Sequence, residues 1–196
     1  MGPTMEYQGI VSIEVPETPH LGGNADHGDP YSFAPSVVRH LVERFALRSM
    51  LDLGSGQGHT AALFHRHGVA AIACDGLGRN IRDNVFPTVQ SDFTQAPFVC
   101  AVDLVWCQEV AEHVEERYLG NFIGSLACGK VILMTHALPG QHGYHHVNCK
   151  DAAYWIEAVS RAGYQCAVAD TNRVRALAQQ DGAAYLARTG LLFTRC

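Results

Sequence analysis

Apolar residues fall into short runs separated by stretches of helical spacing, and the alternation is regular from about residue 50 onward. Met50 to Leu53 reads as a strand that runs into the glycine-rich Gly54-Ser55-Gly56-Gln57-Gly58. Ala61, Ala62, Leu63 and Phe64 give helical spacing to the stretch from Thr60 to His67. Val69 to Cys74 is a second buried strand, closed by Asp75-Gly76. Pro87 to Gln90 is a weaker third strand, and Val102 to Cys107 a fourth. Tyr118, Leu119, Phe122, Ile123 and Leu126 then recur at helix spacing, and Cys128-Gly129 ends that helix. Val131 to Met134 is a fifth strand, Ala152 to Arg161 a helix capped by Gly163, Tyr164 to Ala169 a sixth strand and Leu191 to Thr194 a last one.

Strands that are apolar throughout and separated by helices belong to a parallel sheet covered on both faces. The pattern predicts an α/β fold: a Rossmann-like, doubly wound, mostly parallel sheet of about seven strands with helices on both faces. Such sheets bind ligands beyond the C-terminal strand ends, where the strand order reverses. Residues 1–35 are less regular, broken by Gly22-Gly23, Gly28, Pro30 and Pro35. They are expected to form an N-terminal arm or active-site cover on a domain spanning 36–196.

Composition narrows the class. The 196 residues, 47% hydrophobic and 17% charged, suit one compact domain. Lysines and arginines number 14 against 19 acidic residues, and the resulting charge of −5 argues against a broad nucleic-acid-binding surface. Seven cysteines, an odd number with no C-x-x-C, do not make a disulfide framework, so a reducing, cytoplasmic setting is expected. Neither a signal peptide nor an apolar run of bilayer length is present, and no membrane partner is expected. Histidine is over-represented, with 11 copies.

The glycine loop carries the strongest signal. Glycines leaving a strand let the backbone turn tightly and approach a ligand. A dinucleotide site wants G-x-G-x-x-G, but the position three after Gly56 is His59. Glycine at every second position, with Asp52 two residues before Gly54, instead resembles class I S-adenosylmethionine-dependent methyltransferases. The resemblance extends over about residues 25–196 and implies that fold, with the last strand antiparallel beside the fifth. It implies a cofactor site of Asp52, Gly54, Gly56, Gly58, Asp75, Gly76, Asp92, Phe93 and Glu109. Asp75, about 20 residues past Gly54, accepts both ribose hydroxyls, and Asp92-Phe93 meets the adenine.

After the fourth strand, Glu109, Glu112 and His113 share one face if the segment is a helical turn. This Glu-x-x-Glu-His segment is similar to that of ubiquinone-biosynthesis O-methyltransferases and small-RNA 3′-terminal 2′-O-methyltransferases. That likeness implies a divalent metal ion on Glu109, Glu112, His113 and, from the loop after the fifth strand, His146. The alternative keeps the segment metal-free, with the glutamate on the cofactor and His113, His136, His145 or His146 as the base. His113, His145 and His146 are the catalytic candidates. Tyr31, Phe33, His136 and Tyr144 are candidate substrate contacts, and Trp155 a candidate apolar wall. His59 reads as solvated or capping.

The expected function is O-methylation of a small polar molecule such as a sugar, a phenol or a natural-product intermediate. Two alternatives stand beside it: an RNA-terminal 2′-O-methyltransferase, and a non-catalytic S-adenosylmethionine-binding protein. Nothing in the sequence assigns an oligomeric state.

Overall fold

The computed structural model describes residues 5–7, 10–23, 25 and 28–196. A two-stranded antiparallel ribbon, β1 (Met5–Tyr7) and β2 (Ile10–Ser12), opens the chain. Then follow α1 (Pro35–Phe45), β3 (Ser49–Leu53), α2 (His59–Arg66), β4 (Ala70–Asp75), α3 (Gly78–Arg82) and β5 (Thr88–Gln90). The second half holds β6 (Val102–Cys107), α4 (Leu119–Leu126), β7 (Gly129–Met134), α5 (Ala152–Ser160) and β8 (Tyr164–Cys166). It closes with α6 (Val168–Asp181), α7 (Ala184–Thr189) and β9 (Leu191–Arg195).

Strands β5-β4-β3-β6-β7-β9-β8 make one seven-stranded sheet in that order. All pairs are parallel except those of β9, which runs antiparallel between β7 and β8. The order reverses between β3 and β6, so the crevice for a ligand opens beyond the ends of Leu53 and Cys107. Alternation along each strand builds two cores. Met50, Leu104, Leu133 and Leu192 pack under α1, α2, α6 and α7 with Val38, Leu41, Phe64 and Val174. Their neighbours Leu51, Val105, Ile132 and Phe193 face α4 and α5 with Phe122, Leu126 and Trp155.

Three expectations change. The sixth strand stops at Cys166 instead of Ala169, because the alanine-rich stretch from Ala167 enters α6 and Thr171 N–H bonds Ala167 O at 2.8 Å. Glu109 lies outside the helical turn, which is a single 3-10 turn over Ala111–His113, and its own φ of 56° is left-handed. Trp155 is not a cavity wall. It is fully buried, edge-on to Phe122 and Tyr154. Trp155→Phe removes volume from a tight core but also an indole N–H that has no partner there. A cost of about 1–2 kcal/mol is expected in chemical denaturation, with ligand affinity unchanged. An altered affinity would return Trp155 to the site.

Candidate active site

A cavity of about 810 Å³ lies beyond the C-terminal ends of β3, β4 and β6. The glycine loop forms its floor. Gly54 turns the chain out of β3 with φ 74°, and a Cβ there would stand 2.3 Å from Val110 Cγ2. Gly56 follows with φ 55°. Only glycine takes these conformations without strain.

Asp52 is buried, and its carboxylate accepts the Ala61 N–H at 3.0 Å. The helix cap itself, Gly58, has no side chain, so Asp52 does that work for α2 and sits at the helix's positive end. Burial nevertheless pushes its pKa up to about 7. Asp75 ties the loop to β4: Oδ2 accepts Gly56 N–H at 2.9 Å, while Oδ1 accepts Leu77 N–H and Asn80 Nδ2, both at 2.9 Å. Burial raises this carboxyl as well. A carboxylate offers about four lone-pair sites, so Asp75 has room for one further donor where sequence reasoning assigned two.

At the other end of the cavity, Asp92 Oδ1 accepts the Thr94 N–H and hydroxyl at 2.8 Å each, and Oδ2 meets His20 Nε2 at 3.3 Å. Burial pulls this carboxyl upward, but the bonds from Thr94 and His20 outweigh it and hold it below its ordinary value. Phe93 lies beside it, against Phe122.

The chain before α1 lines the outer side. Val15 N–H donates to Tyr144 Oη at 2.8 Å. A Cβ on Gly22 would be 2.6 Å from Tyr144, and one on Gly23 would be 2.7 Å from His113, so the Gly-Gly pair lets this segment lie flat on both rings.

The 3-10 turn brings Glu112, His113 and His146 together, with ligand atoms within 4.8 Å of one another. Glu112 is wholly buried, and neither carboxylate oxygen makes a well-aligned hydrogen bond, although the Glu109 carboxyl and the backbone at Ala137 lie beside it. Its backbone carbonyl accepts Val147 and Asn148 N–H at 2.9 and 3.0 Å, which fastens the histidine loop to the turn. The His113 and His146 rings meet edge-on at 5.1 Å. Burial, with His146 and His145 nearby, lowers the His113 pKa to about 3. His146 Nδ1 lies 3.2 Å from the Gln141 carbonyl, which can only accept, so Nδ1 carries the proton and Nε2 the lone pair.

Glu109 does not join that trio. Its N–H donates to Thr135 Oγ1, which donates back to Glu109 Oε1, each at 2.8 Å. This reciprocal clamp holds the left-handed turn. Burial and the neighbouring carboxyl of Glu112 keep Glu109 well above the usual carboxylate range.

Of the substrate candidates, Phe33 and Tyr144 line the cavity. Tyr31 does not, but packs edge-on at 6.4 Å against Tyr185, which does. His136 is buried behind the site and borders a separate space of about 100 Å³. His145 has φ 49° and stays outside the lining. His59, read as solvated or capping, is a lining residue, as are Asp29, Gln108 and Tyr185, which no motif marks.

The sheet order, with β9 antiparallel between β7 and β8, is that of the class I methyltransferase fold. The family described as methyltransferase domain matches residues 51–122, from β3 into α4. No curated protein matches the sequence. Magnesium protoporphyrin IX methyltransferase from Synechocystis, solved with bound S-adenosylmethionine, aligns with a TM-score of 0.59 at 16% identity, over 83% of this chain and 78% of that one. The cyclase SpnF aligns at 0.56 and 15% identity, over 82% and 80% of the two chains. The methyltransferase domain of bacterial CtHen1 aligns at 0.54 and 14% identity, over 67% and 85%. At such identities the likeness is one of fold.

Proposed function

We propose that the protein is an S-adenosylmethionine-dependent O-methyltransferase of a small polar molecule, with a divalent cation held by Glu112, His113 and His146. The observation that carries this reading is the Glu112 carboxylate, fully buried beside two imidazoles and a second carboxyl, Glu109, with no well-aligned hydrogen bond to either oxygen. A carboxylate so placed must be protonated or neutralised by a cation. Two imidazoles stand within 4.8 Å of it, and a carboxylate with two imidazoles suits a first-row divalent ion. A cation there supplies Lewis acidity, which lowers the pKa of a bound hydroxyl.

The cofactor's fit rests on the open space over Gly56, where a Cβ would meet nothing within 4 Å, the acceptor site left on Asp75, and the Asp92-Phe93 pair at the far end. When bound, it supplies a methyl group already activated on a sulfonium. What remains for this chain is alignment and exclusion of water. Residues 13–23 and 28–33 act as the cover, and Phe33 and Tyr144 flank the acceptor. His113, neutral down to about pH 3, suits a ligand and not a base. His146 Nε2 is the group that holds the cation or takes the hydroxyl proton. No lysine or arginine is among the described lining residues, which supports a small molecule over an RNA end.

Calorimetry with S-adenosylhomocysteine, then thermal melts of chelator-treated protein with Mn²⁺, test this reading. Binding of the first and a rise in Tm with the second are expected. Glu112→Gln should keep the first and lose the second. Absence of S-adenosylhomocysteine binding removes the enzyme reading. A melt indifferent to Mn²⁺, with transfer unaffected by chelator, removes the cation. Methylation of RNA ends in preference to hydroxyl compounds replaces the substrate.

A further inference from the structure

The N-terminal end of the central strands, opposite the cavity, carries a feature that methyl transfer does not use. Cys100 precedes β6 and Cys128 precedes β7, and Val102 N–H donates to the Cys128 carbonyl at 3.1 Å, so the two chain segments run side by side. Cys100 N–H donates to Cys128 Sγ at 3.3 Å, and that thiol donates to the Phe98 carbonyl at 3.2 Å. Both cysteines are free and partly exposed, while Cys74 and Cys107 are buried.

The pair stands at the end of a seam. Asn121 Nδ2 donates to Phe93 O at 2.9 Å, and the Phe93 and Phe122 rings lie 6.4 Å apart. Gly124 faces Pro97, and Phe98 N–H donates to Ser125 Oγ at 2.9 Å. The segment 93–100, which follows the cavity residue Asp92, is thus laced along α4 by contacts that end at the two thiols.

We propose that Cys100 and Cys128 are a redox site, oxidised by a hydroperoxide to a disulfide that locks segment 93–100 to the end of α4. Cys128 reacts first. Its sulfur already accepts the Cys100 N–H, whereas burial and the Cys128 sulfur push the Cys100 thiol up to about 12, which leaves Cys100 the slower of the two to form a nucleophile. The Cys128 thiolate attacks hydrogen peroxide. An S–O bond forms, the O–O bond breaks, and hydroxide leaves a sulfenic acid behind. The Cys100 sulfur then attacks the Cys128 sulfur. The S–S bond forms, the S–O bond breaks, and the departing hydroxide takes up the thiol proton as water. In sum, two thiols and one peroxide give a disulfide and two waters.

Wild-type protein treated with hydrogen peroxide, then alkylated and digested with trypsin, is expected to yield peptides 83–117 and 118–130 joined through Cys100 and Cys128. The melting temperature should rise by about 5 °C and fall back with dithiothreitol. Cys100→Ser and Cys128→Ser should each abolish the rise. Alkylation of both thiols after peroxide, a bridge between other cysteines, or the same rise in both variants overturns the proposal. Fragment sequencing of the joined peptides, which separates Cys100 from Cys107 within 83–117, needs no variant and decides the matter even if a serine substitution fails to fold.

Discussion

Asp52→Asn is expected to stabilise the ligand-free protein by up to about 4 kcal/mol at pH 8 and to leave it unchanged near pH 4. In the folded protein burial pushes this carboxyl up to about 7, against an ordinary value of 3.8. The folded protein therefore prefers the protonated form. Below the unfolded value both states hold the proton, and the group's full contribution is present. As pH rises from about 4, the unfolded chain releases its proton first, and stability is lost until the folded group also ionises near pH 7. Each unit of that difference is worth about 1.4 kcal/mol, which sets the ceiling. Asparagine cannot ionise, yet its carbonyl oxygen can still accept the Ala61 N–H, so the cap on α2 survives. Melting curves of both proteins between pH 4 and 8 measure the effect. A gap that does not widen with pH means that Asp52 is not strained by its charge. On the proposed reading the same substitution lowers S-adenosylhomocysteine affinity at least tenfold, a loss of about 1.4 kcal/mol or more, because the ligand's amino group loses its counter-charge.

A buried acid that costs stability fits the rest of this cavity. Asp75 and Glu109 are likewise raised by burial, and Glu112 makes no well-aligned hydrogen bond through either oxygen. Three of the four also hold backbone in place, Asp52 at α2, Asp75 at the glycine loop and Glu109 at its turn, so the burial that raises them serves structure as well. Perturbed carboxyls gathered along one cavity are what a functional site presents, and on the proposed reading their partners are the cofactor's charge and a divalent cation.

Much of this was legible from local pattern. β6 was read with the bounds it has, because both its faces are buried and every second side chain is apolar. The glycine loop is legible because left-handed backbone at Gly54 and Gly56 favours glycine, and at Gly54 the contact with Val110 leaves no room for a side chain. Glu109 shows where pattern reading stops. Its spacing to Glu112 suggests one helical face, but a tertiary bond to Thr135, 26 residues on, holds it in a left-handed turn. The bounds of β8 failed for a related reason, since Ala167 to Ala169 fits strand or helix and the start of α6 decides. Trp155 was misplaced because an aromatic on an amphipathic helix reads the same whether it faces core or ligand. Tyr185 enters the cavity from α7, far along the chain, and its neighbours carry no signal for that role. The covering segment was noted for its irregularity alone; the contacts of Gly22 and Gly23 with Tyr144 and His113 give it a physical reason.

Gly54→Ala is expected to have the second large effect, and the cause is geometric. Alanine at φ 74° pays roughly 1–2 kcal/mol of backbone strain. Its Cβ would also stand 2.3 Å from Val110 Cγ2, and overpacking of that kind costs about 1–3 kcal/mol. The neighbour has little freedom to yield. Val110 is β-branched and follows Glu109, whose backbone and side chain are both fastened to Thr135. Relief must come from moving the glycine loop away from the turn, which widens the floor of the cavity. A destabilisation of about 2–5 kcal/mol in denaturant melts is expected from the two terms together. S-adenosylhomocysteine affinity should fall at least tenfold. The double variant with Val110→Ala separates the causes. It should recover the steric part of the stability and much of the affinity, while the strain from φ remains. If it recovers neither, the contact with Val110 does not set the position of the loop.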